Sequence, residues 1–220
     1  MAYRPLRAIV GLLFRIFTRF EVVGLENLPP KGALILVTNH IHLLDPPATL
    51  VALPRPVTPL AAQKWRGTVV GLLLRLVGAI FIKRGEVDRR ALRRSLAVLR
   101  QGGILGLAPE GTRSKTHDLQ PARAGVAYIA HLSGAPLLPV AVTGVEEAIP
   151  ALLHLRRARV RVTIGEPFVL PVLDHKPKAS ELLEQADLVM HRIAALLPPA
   201  YRGVYAGGGK ISKRSPAPQG

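Results

Sequence analysis

Cysteine is missing from all 220 residues, so the chain can hold no disulfide, no thiolate nucleophile and no Cys-bearing metal site. Any nucleophile must be a hydroxyl or a water. A chain without cysteine also suits a reducing compartment. Aromatic residues are few, at 5%. RNA-binding surfaces tend to interleave aromatics with Lys and Arg, and this chain has little to interleave. Acidic residues are short as well: 14 Asp and Glu stand against 30 Lys and Arg, a formal charge of +16. A surplus of this size favours an anionic partner: nucleic acid, anionic lipid or a phosphorylated substrate. Long uncharged apolar runs are absent too. The longest are broken at Arg15 and Arg75, short of the ~18–20 residues that a membrane-spanning helix needs.

Apolar side chains are plentiful. At 49% hydrophobic residues, the chain can fold into one domain with a substantial core. The arginines border apolar segments: Arg66 and Arg75 around Val69 to Leu74, and Arg89 to Arg94 before Leu96 to Leu99. Charge at the rim of apolar surface suits a membrane face better than a nucleic-acid groove. Near the start, Arg4, Arg7, Arg15 and Arg19 fall within about one third of a helical wheel, and Ile9, Leu12, Leu13, Ile16, Phe17 and Phe20 fill much of the rest. Residues 1–20 therefore read as an amphipathic helix. It either lies on a membrane surface or packs on the domain with its Arg face in water.

Beyond this helix, strand and helix patterns alternate. Strands are expected at Phe20 to Gly24, Ala33 to Thr38, Leu60 to Gln63, Ala79 to Lys83, Ile104 to Ala108 and Leu137 to Val142. Arg156 to Ile164 alternates basic and apolar residues like an edge strand. Helices are expected from Asp45 (at the N-cap, with Pro46 first in the helix), at Thr68 to Val77, Val87 to Gln101, Ala122 to Ser133 and Ala179 to Leu197. Pro54 to Pro59 reads as a linker. The pattern implies an α/β fold: a single layered domain with a mostly parallel central sheet flanked by helices, plus the N-terminal amphipathic helix. The expected division is 1–20 for that helix, 21–200 for the domain and 201–220 for a flexible basic tail.

Loops at strand ends converge in such folds. The run Thr38-Asn39-His40-Ile41-His42-Leu43-Leu44-Asp45 leaves a buried strand and brings an imidazole close to a carboxylate. That pair is the minimum equipment for a general base held in one tautomer. A second loop ends the run Gly78 to Arg84 with Lys83 and Arg84. A third, Pro109-Glu110-Gly111-Thr112-Arg113-Ser114, carries a glycine for a tight turn and a guanidinium fork suited to phosphate.

Taken in order, Asn39-His40-x4-Asp45, Gly78 to Arg84, Pro109 to Ser114 and Pro136-Leu137-Leu138-Pro139-Val140 resemble the four blocks of glycerolipid acyltransferases, most of all the 1-acyl-glycerol-3-phosphate (lysophosphatidate) type. The resemblance implies an enzyme that moves an acyl group from acyl-CoA or acyl carrier protein to a hydroxyl of lysophosphatidate, giving phosphatidic acid. It makes His40 the base and Asp45 its orienting carboxylate. Arg84, Glu110, Gly111, Thr112 and Arg113 would bind the phosphorylated acceptor, and Asn39, Lys83 and Pro139 would support the site. No metal or redox cofactor is implied, because the thioester is already activated. The expected setting is an anionic membrane surface on its cytoplasmic side, met peripherally, with no nucleic acid involved. His42 departs from the family pattern, where a small hydroxyl residue is common, and so does Ala108, where Phe is frequent.

Two rivals explain parts of the pattern. His40-Ile41-His42 could begin an H-x-H metal site of a hydrolase, with Asp45 as a further ligand. It would need more ligands, and of His117, His131, His154, His175 and His191 only His117 lies in an expected site loop. A non-enzymatic, basic membrane-binding protein would explain the charge and leave the loop chemistry unused.

Overall fold

The computed structural model describes residues 3–83, 88–114 and 116–207. Seven strands form the sheet: β1 (Thr18–Val23), β2 (Leu34–Thr38), β3 (Val57–Ala62), β4 (Ile80–Ile82), β5 (Ile104–Leu107), β6 (Leu137–Thr143) and β7 (Ala158–Ile164). Their spatial order is β1-β7-β6-β2-β5-β3-β4. Every neighbouring pair is parallel except β6 with β7. Among the described residues seven α-helices accompany them: α1 (Tyr3–Phe17), α2 (Asp45–Ala52), α3 (Val69–Leu76), α4 (Arg89–Arg100), α5 (Gly125–Ser133), α6 (Ala148–Leu153) and α7 (Ala179–Ala195). The expected α/β class and mostly parallel sheet are present.

The central strand shows why. Leu34 to Val37 is apolar without a break, as a strand covered on both faces must be. Alternation sends Ile35 and Val37 to the layer of α4, α5 and α7. Leu34 and Leu36 go to the opposite layer, with Phe14 of α1 and Ala48 and Ala52 of α2. Because β2, β5 and β6 are adjacent and parallel, their carboxyl ends coincide and their loops meet there.

Several details differ from the sequence expectation. The stretch read as a linker holds the first half of β3. Pro59 is tolerated there because β4 pairs only with Leu60 to Ala62, so one side of Pro59 faces no strand. β7 is not the edge: β1 pairs with it from Thr18↔Ala158 to Val23↔Thr163. Its alternation reflects a bare outer face, with Arg159 and Arg161 out and Val160 and Val162 buried. Helix α6 was not anticipated, since Pro150 reads as a breaker; it falls in the first turn, where no N–H is required. The chain also stays packed into the region read as a tail. Tyr205 is buried, and its hydroxyl accepts from the Ala122 amide (3.0 Å) and donates to Asp187 (2.8 Å). Residues 208–220 lie outside the described residues.

α1 lies against the domain. It packs on the domain through Val10, Gly11 and Phe14, and Arg7 donates to the Val51 carbonyl at 3.1 Å. The opposite stripe, Ile9, Leu12, Leu13, Ile16 and Phe17, is exposed, and so are Arg4 and Arg15. α3 likewise exposes Val69, Leu72, Leu73 and Leu76. Among the described residues no helix is long and apolar enough to cross a membrane.

Stability should separate the two kinds of leucine. Leu36→Ala should cost about 2–5 kcal/mol in urea denaturation. Leu12→Ala should stay within about 0.5 kcal/mol of wild type. Comparable losses would show that the α1 stripe packs inward.

Candidate active site

The site begins where β2 runs out of partners. Its pairing with β6 ends at Thr38↔Val140. Asn39, fully buried, extends the ladder with its side chain: its carboxamide accepts from the Val142 amide and donates to the Val142 carbonyl, both at 2.8 Å. With both groups committed there, Asn39 fixes the point at which the chain turns out of the sheet.

His40 follows and is held on three sides. Its amide donates to Glu110 Oε1 at 3.0 Å, and its carbonyl accepts from the Ser114 amide at 2.9 Å. Its ring Nδ1 lies 3.3 Å from Asp45 Oδ2. A carboxylate facing Nδ1 selects the tautomer protonated there, so the neutral ring keeps its lone pair on Nε2.

Asp45 is fully buried at the first position of α2, one residue inside the expected N-cap. The cap site falls on Leu44 because Pro46 and Pro47 offer no amides for a capping carboxylate to accept from. The side chain turns back instead. Oδ2 accepts from the amides of Ile41 and His42, both at 2.7 Å, as well as from His40. The helix N-terminus behind it favours the negative charge.

The third loop is laced to the first. Glu110 is buried between them, with Oε1 on the His40 amide and Oε2 on the Gln120 amide, 3.0 Å each. Burial pushes its carboxyl up to about 8, although both amides pull the other way. Both Glu110 oxygens face inward onto these amides, and among the described residues it makes no ion pair with Arg113. Gly111 adopts φ +71°, and its amide donates to the Ala108 carbonyl at 3.0 Å. That turn carries Thr112 and Arg113 out to solvent.

Arg123 was not singled out from the sequence. Its side chain lies across Gly111 so closely that a Cβ there would stand 2.7 Å from Arg123 Cδ. The one available signal was a lone basic residue between Pro121 and the helix start at Gly125.

The remaining expected residues are more dispersed. Lys83 follows β4, exposed, at the same end of the sheet but three strands from β2. Arg84 lies outside the described residues. Pro139 is buried in β6 beside Val37. His42 accepts the Leu44 amide on Nδ1 at 3.3 Å, turning into its own loop and away from the alignment with His40 that an extended chain would give. Among the described residues no three His, Asp or Glu side chains gather as metal ligands.

Comparison with known proteins converges on one group. The family model described as Acyltransferase matches residues 19–143, more than half of the chain. The 1-acyl-sn-glycerol-3-phosphate acyltransferase of Borreliella burgdorferi is 32% identical over 144 residues, 64% of this chain and 58% of that protein. The Bacillus subtilis protein of the same name is 25% identical over 178 residues, 80% of this chain and 87% of that protein. The chain spans about half the length of several such relatives, 47% in Mycoplasma genitalium, for example. The crystal structure of the 1-acyl-sn-glycerophosphate (LPA) acyltransferase from Thermotoga maritima superposes with a TM-score of 0.66 at 25% identity, covering 88% of this chain and 78% of that one.

The buried Glu110 sets a pH dependence of stability. An unfolded glutamate ionises near 4.5 and the folded one near 8, so between these values the folded protein holds a proton that the unfolded chain releases. The Glu110 contribution should therefore be complete below about pH 4.5 and fade as pH rises to about 8. In denaturant titrations, the advantage of wild type over Glu110→Gln should shrink across that window. A constant or growing difference would mean that Glu110 is charged in the fold.

Proposed function

Since the chain belongs to the acyltransferase family, we propose that it transfers a fatty acyl group from an acyl thioester to the free hydroxyl of 1-acyl-glycerol-3-phosphate, forming phosphatidic acid. The observation that carries the reading is the His40 ring, clamped at Nδ1 by a buried carboxylate and open at Nε2.

Nε2 takes the proton of the acceptor hydroxyl as its oxygen attacks the thioester carbonyl carbon. The tetrahedral intermediate then collapses: the C–S bond breaks, and the sulfur leaves as a thiol with the proton that His40 returns. No protein nucleophile is acylated, because the acceptor hydroxyl fills that role. Asp45 offsets the positive charge on the imidazolium between these steps. Arg113, exposed at the tip of the Gly111 turn, binds the acceptor phosphate in a fork of donors, and Thr112 shapes the glycerol pocket. Lys83, three strands away at the same end of the sheet, and Arg84, which follows it in sequence, add to the positive charge available to the acceptor phosphate. The thioester, of coenzyme A or acyl carrier protein, brings its own activation, so the chemistry calls for no metal or redox cofactor.

A long-chain acceptor is presented by a bilayer. The exposed stripes of α1 and α3 and the net charge of +16 suit peripheral attachment to an anionic membrane surface.

A thiol-release assay with acyl-CoA tests this reading on lysophosphatidate, glycerol-3-phosphate and monoacylglycerol. Lysophosphatidate should be the preferred acceptor. His40→Ala should lower kcat by about 10²–10⁴ while leaving binding to anionic vesicles intact. Arg113→Ala should raise KM for the phosphorylated acceptors and spare monoacylglycerol; an equal loss on all of them would remove the phosphate role.

A further inference from the structure

The turn between α6 and β7 contains a residue that the fold does not explain. α6 ends in paired hydrogen bonds: the Arg156 amide donates to the Ala151 carbonyl at 2.8 Å and the Leu155 amide to the Leu152 carbonyl at 3.0 Å. In this termination the residue after the cap is left-handed, and glycine is the usual occupant. Here it is Leu155, at φ 54°. An L side chain is strained in that conformation. Burial could offset the strain, but Leu155 is 96% exposed, next to Leu153 at 78%. Ile149 and Leu152 on the same helix are exposed as well. The sequence therefore keeps a strained leucine whose side chain the folded domain does not use.

The surroundings indicate what does use it. β6 runs parallel to β2 and delivers α6 at the end of the sheet that carries His40; β7 returns from that end. Arg156 and Arg157 follow Leu155 directly. The Arg157 guanidinium donates to the carbonyls of Arg15 and Thr18, tying the turn to the last turn of α1. Arg19 and Arg159 stand side by side in the β1–β7 register and, with Arg15 and Arg157, line a concavity of about 290 Å³. Glu21 lines the same concavity and is paired with Arg161 at 3.0 Å, so four arginines there face one carboxylate that already has a partner. Glu147 lies at the far end of α6, and Glu146 accepts from the Tyr201 hydroxyl. An apolar tip beside this excess of arginines fits the boundary between acyl chains and anionic headgroups.

We propose that the α6–β7 turn, led by Leu155 and Leu153, inserts into an anionic lipid bilayer while Arg156 and the arginine-lined concavity engage lipid phosphates, so that the end of the sheet bearing His40 faces the membrane. The inference rests on the peripheral-membrane reading above and adds an anchor separate from the α1 and α3 stripes. It gives the exposed tip a hydrophobic environment, and it makes the strain at Leu155 the cost of keeping an apolar side chain where glycine would fold better.

Two substitutions test it. Leu155→Gly relieves the left-handed strain and removes the anchor. It should raise the thermal midpoint by about 2–4 °C. It should also weaken partition onto phosphatidylglycerol–phosphatidylcholine vesicles roughly tenfold. Wild-type partition should fall on pure phosphatidylcholine and in high salt. Leu155→Trp in a Trp65→Phe background should shift its emission to the blue on anionic vesicles and be quenched by brominated acyl chains. Wild-type partition by Leu155→Gly, or Trp emission unchanged by vesicles, would overturn the inference and leave the acyltransferase reading standing. Failure of wild type itself to bind vesicles would instead remove the peripheral-membrane reading on which it rests.

Discussion

Three donors converge on a single oxygen of Asp45: the amides of Ile41 and His42 and the ring of His40. A carboxylate oxygen suits such crowding, since it can accept several charge-assisted bonds. The rest of the site depends on it. The two amides fold the loop back over the start of α2, and the same oxygen then sets the tautomer and plane of the imidazole. The prolines at 46 and 47 matter for what they withhold: they have no amides, and the Ala48 amide is already spent on the Leu44 carbonyl, so the helix does not take the carboxylate for its own cap.

Around this centre the protein braces main chain more than side chain. Asn39 clips the end of β2 to Val142, Glu110 bridges the amides of His40 and Gln120, and Ser114 donates back to the His40 carbonyl. The loops are thereby fixed at the coincident ends of β2, β5 and β6, while the groups suited to an anionic ligand, Thr112 and Arg113, stay in solvent. Rigid base and accessible cation suit a reaction in which proton transfer needs fixed geometry and a flexible lipid must enter and leave.

The readable parts of the sequence were those governed by local rules. The apolar run of β2, the His40-x4-Asp45 spacing and the Gly111 turn each express a constraint within a few residues. What could not be read involves partners distant in the chain. Nothing near Asn39 announces that its carboxamide meets Val142, 103 positions away. Glu110 stands in a loop that the motif assigns to the acceptor, and nothing near it in sequence announces the His40 amide that its carboxylate meets. β7 looked like an edge because alternation reports a solvated face and cannot report β1 lying beside it. Leu155 resembled any other leucine until its backbone conformation and exposure were both visible.

The claim at the centre is that the charge of Asp45, beyond its hydrogen bonds, makes His40 a base. Asp45→Asn is nearly isosteric and keeps an oxygen able to accept from Ile41, His42 and His40, so it removes the charge while retaining the loop. The decisive measurement is the steady-state kinetics of acyl transfer by this variant. The account requires kcat to fall by about 10²–10⁴, with the KM for the acceptor little changed. A kcat close to wild type, in a variant that is folded by circular dichroism, would contradict it and reduce Asp45 to a staple for the loop.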